Sequence, residues 1–150
     1  MPSTPAGLDP PVARAFVADS SVGVSWAVAS QASPAAERLL DEMEAGGLFL
    51  VPALWPFEVA NALLFLRRRK KITPAELERA QAALSRMNPR VDWDGLASVF
   101  GTTAALAQEH ALSVYDAAYL ELALRSGLPL ASRDAALNRA ARRTGIETLL

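Results

Sequence analysis

Short apolar runs alternate along this chain with longer stretches in which apolar residues recur at helical spacing. Ala15-Phe16-Val17-Ala18 is an apolar run ending at Asp19, Leu48-Phe49-Leu50-Val51 is a second, closed by Pro52, and Leu128-Pro129-Leu130-Ala131 is another. Each has the length of a strand buried on both faces. Weaker strand signals lie at 90–93 and 146–150. Helical patterns fill the gaps. A short helix is expected over 20–29, and Ser33-Pro34 opens another to about 45, stopped by Gly46-Gly47. A third runs from about 54 into 67–71. Thr73-Pro74 with Glu76 starts a fourth, to about 87. The stretch 96–110 is helical by period, Ser113 with Asp116 opens the next helix, Gly127 ends it, and a last helix covers 134–143. Strands separated by helices imply right-handed βαβ units on a parallel sheet. The expectation is a three-layer α/β/α sandwich with four to five short strands, forming one domain over 15–150. The Pro-, Ser- and Gly-bearing segment ahead of it, 1–14, reads as a disordered tail.

Composition narrows the chemistry. The chain has no cysteine and a single histidine, so disulfide staples, thiolate nucleophiles, Cys-type zinc sites and multi-histidine metal sites are excluded. His110 sits near the end of a predicted helix, where it reads as a solvated cation beside the helix dipole. A net charge of −1 gives no global positive field to advertise nucleic-acid binding. No apolar run approaches the ~20 residues needed to span a membrane, and the N-terminus lacks the order of a signal peptide. The expected location is cytoplasmic. A hydrophobic share of 51% is high enough to suggest that a partner covers part of the surface.

Four acids are placed where chemistry could use them. In an open parallel sheet, the loops at the carboxyl ends of the strands converge on a crevice. Asp19 ends the first strand, Asp134 follows the strand at 128–131, Asp116 opens the helix leading into that strand, and Glu58 lies in the first turns of the helix after the second strand. Each also has a structural reading: Asp19 and Asp134 as N-caps, Asp116 as the third residue of a capping box, Glu58 as a first-turn acid. Glu58 suits that reading least, because its helix is apolar nearly all round, as buried helices are, and Glu58 and Asn61 share one face. If the four gather, like charges push one another's pKa values up, and the group holds either protons or a cation. All-oxygen ligands select hard Mg2+ or Mn2+. Such an ion activates water and clamps a phosphoryl group, which points to phosphodiester hydrolysis.

Four stretches carry a family resemblance: Phe16-Val17-Ala18-Asp19-Ser20-Ser21, Trp55-Pro56-Phe57-Glu58-Val59-Ala60-Asn61-Ala62-Leu63, Leu112-Ser113-Val114-Tyr115-Asp116-Ala117-Ala118-Tyr119-Leu120 and Leu130-Ala131-Ser132-Arg133-Asp134. In order and spacing the chain resembles the PIN-domain nucleases, specifically the VapC-type toxins of toxin–antitoxin pairs. The resemblance implies a sheet in the order 3-2-1-4-5 and an RNA substrate. It also implies that Asp19, Glu58, Asp116 and Asp134 are the catalytic acids and hold one or two Mg2+ or Mn2+ ions. Ser132 stands where such proteins often carry Thr, and Asn61 matches a polar position supporting the acids. A homodimer and an inhibitory antitoxin are the implied partners. The run Arg67-Arg68-Arg69-Lys70-Lys71 either tracks an RNA backbone or simply matches the dipole at a helix C-terminus.

Competing classes lack their signatures. A haloacid-dehalogenase-like phosphatase needs Asp-x-Asp after the first strand, where Asp19 is followed by Ser20-Ser21. A receiver domain wants adjacent early acids and a late lysine, and a dinucleotide binder wants Gly-x-Gly-x-x-Gly. Within the family, an RNA-maturation nuclease without an antitoxin and an inactive interaction module are the alternatives.

Overall fold

A computed structural model describes residues 14–150. The expected tail falls almost wholly on 1–13, outside the described residues. The chain order is β1 (Ala15–Ala18), α1 (Ser20–Ala27), α2 (Pro34–Glu44), β2 (Leu48–Pro52), α3 (Trp55–Arg68), α4 (Pro74–Arg86), β3 (Arg90–Asp92), α5 (Ala104–His110), α6 (Val114–Ser126), β4 (Leu130–Ala131) and α7 (Ala135–Arg143). The sheet is parallel, with order β3-β2-β1-β4. This is the expected α/β sandwich. The fifth strand is reduced to one bridge, Leu130 to Thr148, made where the Leu130 N–H donates to the Glu147 carbonyl and the Leu149 N–H to that of Leu130.

Local signals set most boundaries. Ser33 and Thr73 cap α2 and α4 with proline at their starts, and Thr73 with Glu76 completes a capping box. Gly127 closes α6 at φ 66°, a left-handed conformation that costs glycine little. The central strands bury Phe16, Val17, Ala18, Phe49 and Val51, and Phe16, Trp26, Phe49 and Trp55 form an aromatic cluster on one face of the sheet, with Trp26 edge-on to Phe49 at 5.2 Å.

Three expectations are corrected. The stretch 96–110 is not one helix: Asp94–Ser98 is a 3₁₀ turn, Val99–Thr103 a π-helical turn, and only α5 is α-helical. Asp92 Oδ2 accepts from the Gly95 N–H while Arg125 of α6 binds both Asp92 and Glu121, so an ion cluster pins the edge of the sheet to α6 and tightens the chain there. Second, α3 is not buried all round. It buries Trp55, Val59 and Leu63, one stripe at i, i+4, i+8, and leaves Phe57 79% and Phe65 53% exposed. Third, the His110 side chain is only 7% exposed, and its Nε2 has no hydrogen-bond partner. It is packed in rather than solvated.

Candidate active site

Strand pairing assembles the floor of the site. The Asp19 N–H donates to the Ala131 carbonyl at 3.0 Å, which sets the last residue beyond β1 against the residue that precedes Ser132. Asp19 is 5% exposed and caps α1, accepting from the Val22 N–H at 3.2 Å. The same carboxylate accepts from the Ser21 hydroxyl at 2.5 Å and, through Oδ2, from the Ser132 hydroxyl. Ser132 is fully buried and also accepts from the Asp134 N–H at 2.9 Å, so one hydroxyl ties two of the acids together. Asn138 of α7 steadies that turn by donating to the Ser132 carbonyl at 2.8 Å.

Helices bring in the other two acids. Gly23 lets α1 approach α3 closely: a Cβ there would stand 2.8 Å from the Trp55 ring. Trp55 in turn donates from Nε1 to the Asp19 carbonyl at 3.2 Å. One turn along α3, Glu58 accepts from the Tyr119 hydroxyl at 2.6 Å, linking it to α6. Ser113 caps α6 by accepting from the Asp116 N–H, without the reciprocal bond to the Ser113 backbone that would complete a capping box. Asp134 caps α7 through Oδ1, which accepts from the Leu137 N–H at 2.7 Å. Asp19 and Asp134 are therefore helix caps and members of one cluster at once.

The electrostatics show the clustering. Burial pushes the Asp19 carboxyl up; its hydroxyl and N–H donors oppose that, and the charge of Asp116 adds to it. Burial also raises Glu58, with Tyr119 pulling it down and Asp116 and Asp19 pushing it further up. Asp116 is raised by burial and then by Asp134. Tyr119 is pushed far above its ordinary value by burial and by Glu58, so it stays a donor. Like charges within reach of one another, in a partly desolvated pocket, are the signature of a site that wants a proton or a cation.

Among the described residues, no group of three acids or histidines stands at metal-ligating separation. Asp19, Glu58 and Asp134 are held instead by the Ser21, Ser132 and Tyr119 hydroxyls and by the Val22 and Leu137 N–H groups. The donor set nevertheless fits a hard divalent cation: every side chain is an oxygen donor, four are acidic, and burial holds three of them above the ordinary carboxylate range, so that they gain by sharing a positive charge when ionised.

A cleft of about 620 Å³ opens beside these acids; two of them, Glu58 and Asp134, line it, and Asp19 and Asp116 do not. Ser20, Ser21 and Arg133 line it too, and it runs on to Phe65 and Leu66. Asn61 lines the same cleft as Glu58 and Asp134. The basic run does not. Arg67 and Arg68 fill the last turn of α3, Arg69 caps it, and Lys70 and Lys71 lie beyond, about 15 Å along the axis from Glu58. Sequence reasoning missed Ser21, Tyr119 and Arg133. Ser21 and Tyr119 stand within the quoted motifs, at i+2 from Asp19 and i+3 from Asp116, but nothing in a sequence tells a core tyrosine from one hydrogen-bonded to a distant glutamate.

Among protein families, the PIN domain matches residues 16–143. Among solved structures, the protein PAE2754 from Pyrobaculum aerophilum is similar with a TM-score of 0.64 and 21% sequence identity, over 91% of this chain and 85% of that one. At such identity the likeness concerns the fold. No curated protein matches the chain.

Proposed function

The chain belongs to the PIN-domain family, whose members are usually nucleases, and from that premise we propose that it is a Mg2+- or Mn2+-dependent endoribonuclease, the toxin of a toxin–antitoxin pair. One observation carries the reading: acids from four separate stretches of chain gather at the carboxyl edge of the sheet, Asp19 and Asp134 joined through the Ser132 hydroxyl, Glu58 and Asp134 lining one cleft, and Asp116 adding to the upward push on Asp19 and Glu58. A structural network would pair such acids with cations, yet none of the four has a Lys or Arg partner among the described residues.

In this reading Asp19, Glu58 and Asp116 hold the cation, and Asp134 is a further ligand or positions the attacking water. When bound, the ion supplies Lewis-acid polarisation of the phosphate and a lowered pKa for water. The chain's own side chains do the rest. Ser132 and Ser21 orient the two oxygens of Asp19, and Tyr119 holds Glu58 in place. Asp134 engages Leu137 through Oδ1 only, so Oδ2 is left to orient a water in line with the scissile bond. Water oxygen adds to phosphorus as the bond to the leaving sugar oxygen breaks, with the water's proton passing to a carboxylate and the leaving oxygen taking one from solvent. Unstacked, single-stranded RNA is the substrate suited to a crevice of this kind.

Exposed apolar side chains, Phe57, Trp93 and Phe100 among them, support a homodimer and an antitoxin as the partners that cover them. The basic run at 67–71, continuous with the helix that carries Glu58, suits a distal stretch of RNA backbone.

The test is cleavage of defined RNAs with Mg2+, Mn2+ or EDTA, beside Asp19→Asn. Cleavage by the native chain with either metal, none with EDTA and none by the variant is expected; undiminished cleavage by the variant refutes the assignment. Expression should arrest growth, and the variant should not.

A further inference from the structure

The cleft does not end at the acids. On α3, Glu58, Asn61, Ala62, Phe65 and Leu66 line it at i, i+3, i+4, i+7 and i+8, a single helix face along its length. From Glu58 to Phe65 is about 10 Å along the axis. That equals roughly three base-stacking rises of ~3.4 Å. The other wall comes from α1 and the turn after it, with Arg133 reaching across. Its guanidinium donates from Nη1 to the Ser25 hydroxyl at 2.9 Å and to the Gln31 carbonyl at 2.7 Å. Its backbone N–H donates to the Ser21 hydroxyl at 2.9 Å.

These anchors hold the cation apart from the acids a few residues away. Among the described residues Arg133 has no carboxylate within salt-bridge distance, and its Nε–H and Nη2–H groups have no protein acceptor. Those two groups form the side of the fork that binds a phosphate in bidentate fashion. Phe65, in the same cleft, is 53% exposed, and the Arg69 guanidinium lies over its ring at 4.6 Å from the centroid. A guanidinium on one face steadies the ring and leaves another face for a base.

We propose that this end of the cleft is a nucleotide subsite, taking a residue of single-stranded RNA within three positions of the scissile phosphate, with Arg133 on the backbone phosphate and Phe65 stacked on the base. It rests on the ribonuclease reading and deepens it. A nucleotide joins one anion to one flat ring by a short covalent tether, which matches one pinned cation and one pinned ring in a single cleft. An acidic peptide matches less well, since a carboxylate chain brings the anion for Arg133 but no flat ring for Phe65.

The test uses the full chain carrying Asp19→Asn, so that RNA stays intact, with Mg2+ and a short fluorescent single-stranded RNA. Arg133→Gln should weaken binding about ten-fold, and the slope of log affinity against log salt should shrink by ~0.7, the share of one phosphate on a single strand. Phe65→Ala should weaken binding about ten-fold with the slope unchanged, and Phe65→Trp should restore it. On RNA made abasic at successive positions, the Phe65→Ala effect should vanish at one of them. Unchanged affinity and slope in both variants overturn the subsite, as does a loss of affinity for an acidic peptide in place of RNA. Absence of cleavage by the native chain sinks the parent reading instead, and the two failures are told apart because one is read in turnover and the other in binding.

Discussion

Asp19→Asn separates a cap from a cation ligand, because the substitution is nearly silent for the first role and ruinous for the second. Asparagine caps helices about as well as aspartate. Its Oδ1 can keep the bonds from Val22 and Ser21, while its Nδ2 must donate to the Ser132 oxygen, whose own proton then loses its acceptor in a fully buried position. That loss costs on the order of 1 kcal/mol. Against it stands the removed charge. Asp19 titrates above its ordinary value of 3.8, chiefly through burial. Each unit of that rise returns about 1.4 kcal/mol once the side chain cannot ionise. In EDTA at neutral pH the variant should therefore melt no more than about 3 °C below the native chain, and at or above it if burial dominates. The pH dependence follows with its sign. A carboxyl whose folded pKa is raised binds more protons folded than unfolded, so stability falls as pH climbs from the ordinary value through the raised one. The metal-free native protein should be most stable on the mildly acidic side, and the variant should show a flatter profile. Mn2+ reverses the ranking. At 100 times its Kd, a ligand bound only by the folded state adds about 2.7 kcal/mol. For a chain of this size that is roughly 5–11 °C. Differential scanning fluorimetry with and without Mn2+ reads all of this. An Mn2+ shift as large in the variant as in the native chain would refute the reasoning, and so would a loss beyond ~3 kcal/mol in EDTA.

Four further outcomes are expected. Tyr119→Phe removes the bond that holds Glu58 down, so Glu58 rises further and the acidic limb of the kcat/KM profile for RNA moves to higher pH; an unmoved limb contradicts the role given to Tyr119. Ser132→Ala strips a donor from Asp19 and an acceptor from the Asp134 N–H, costing about 1–3 kcal/mol by denaturant melts and slowing cleavage, whereas Ser132→Thr should retain activity. Gly23→Ala drives a methyl into Trp55, with an overpacking cost of about 1–3 kcal/mol and a displaced Asp19 carbonyl partner, so both Tm and turnover should fall. Ala111→Gly should instead stabilise by about 1 kcal/mol, because Ala111 closes α5 at φ 53°, where a Cβ is strained; a lower Tm would count against that.

The fold was legible wherever an element announces itself locally. The apolar runs at 15–18 and 48–51, the Ser33-Pro34 and Thr73-Pro74 starts and Gly127 all mark boundaries within a residue or two. Where tertiary forces decide, the pattern misleads. The apolar spacing over 96–110 is genuinely helical, but the stretch up to Thr103, beside the ion cluster of Asp92, Glu121 and Arg125 assembled from β3 and α6, winds into tighter and looser turns. His110 looks like a solvated last-turn cation until α6 folds back beside it. The exposed rings of α3 mislead for the same reason: a helix apolar nearly all round signals contact with something, and the pattern does not say that this domain supplies only one stripe of it.

The candidate site was legible because its acids sit at element boundaries, and that is also why each had a structural explanation ready. Capping and clustering turn out to be compatible for a geometric reason. A helix N-terminus following a parallel strand opens at the carboxyl edge of the sheet, so a side chain that caps it already points to where the other loops converge. Asp19 and Asp134 use one or more oxygens on backbone N–H groups and remain within reach of the others. The Ser132 and Ser21 hydroxyls, and after them the Val22 N–H, partly offset the cost of burying that charge, holding Asp19 below where burial alone would push it. What no spacing rule could supply was the set of hydroxyls between the acids: Ser132 joining Asp19 to Asp134, Ser21 joining Asp19 to Arg133, Tyr119 holding Glu58. Among the described residues no three of these acids stand together at metal-ligating separation, so binding a cation would exchange some of those hydroxyl donors for the ion. Proton release and a rise of affinity with pH should accompany that exchange.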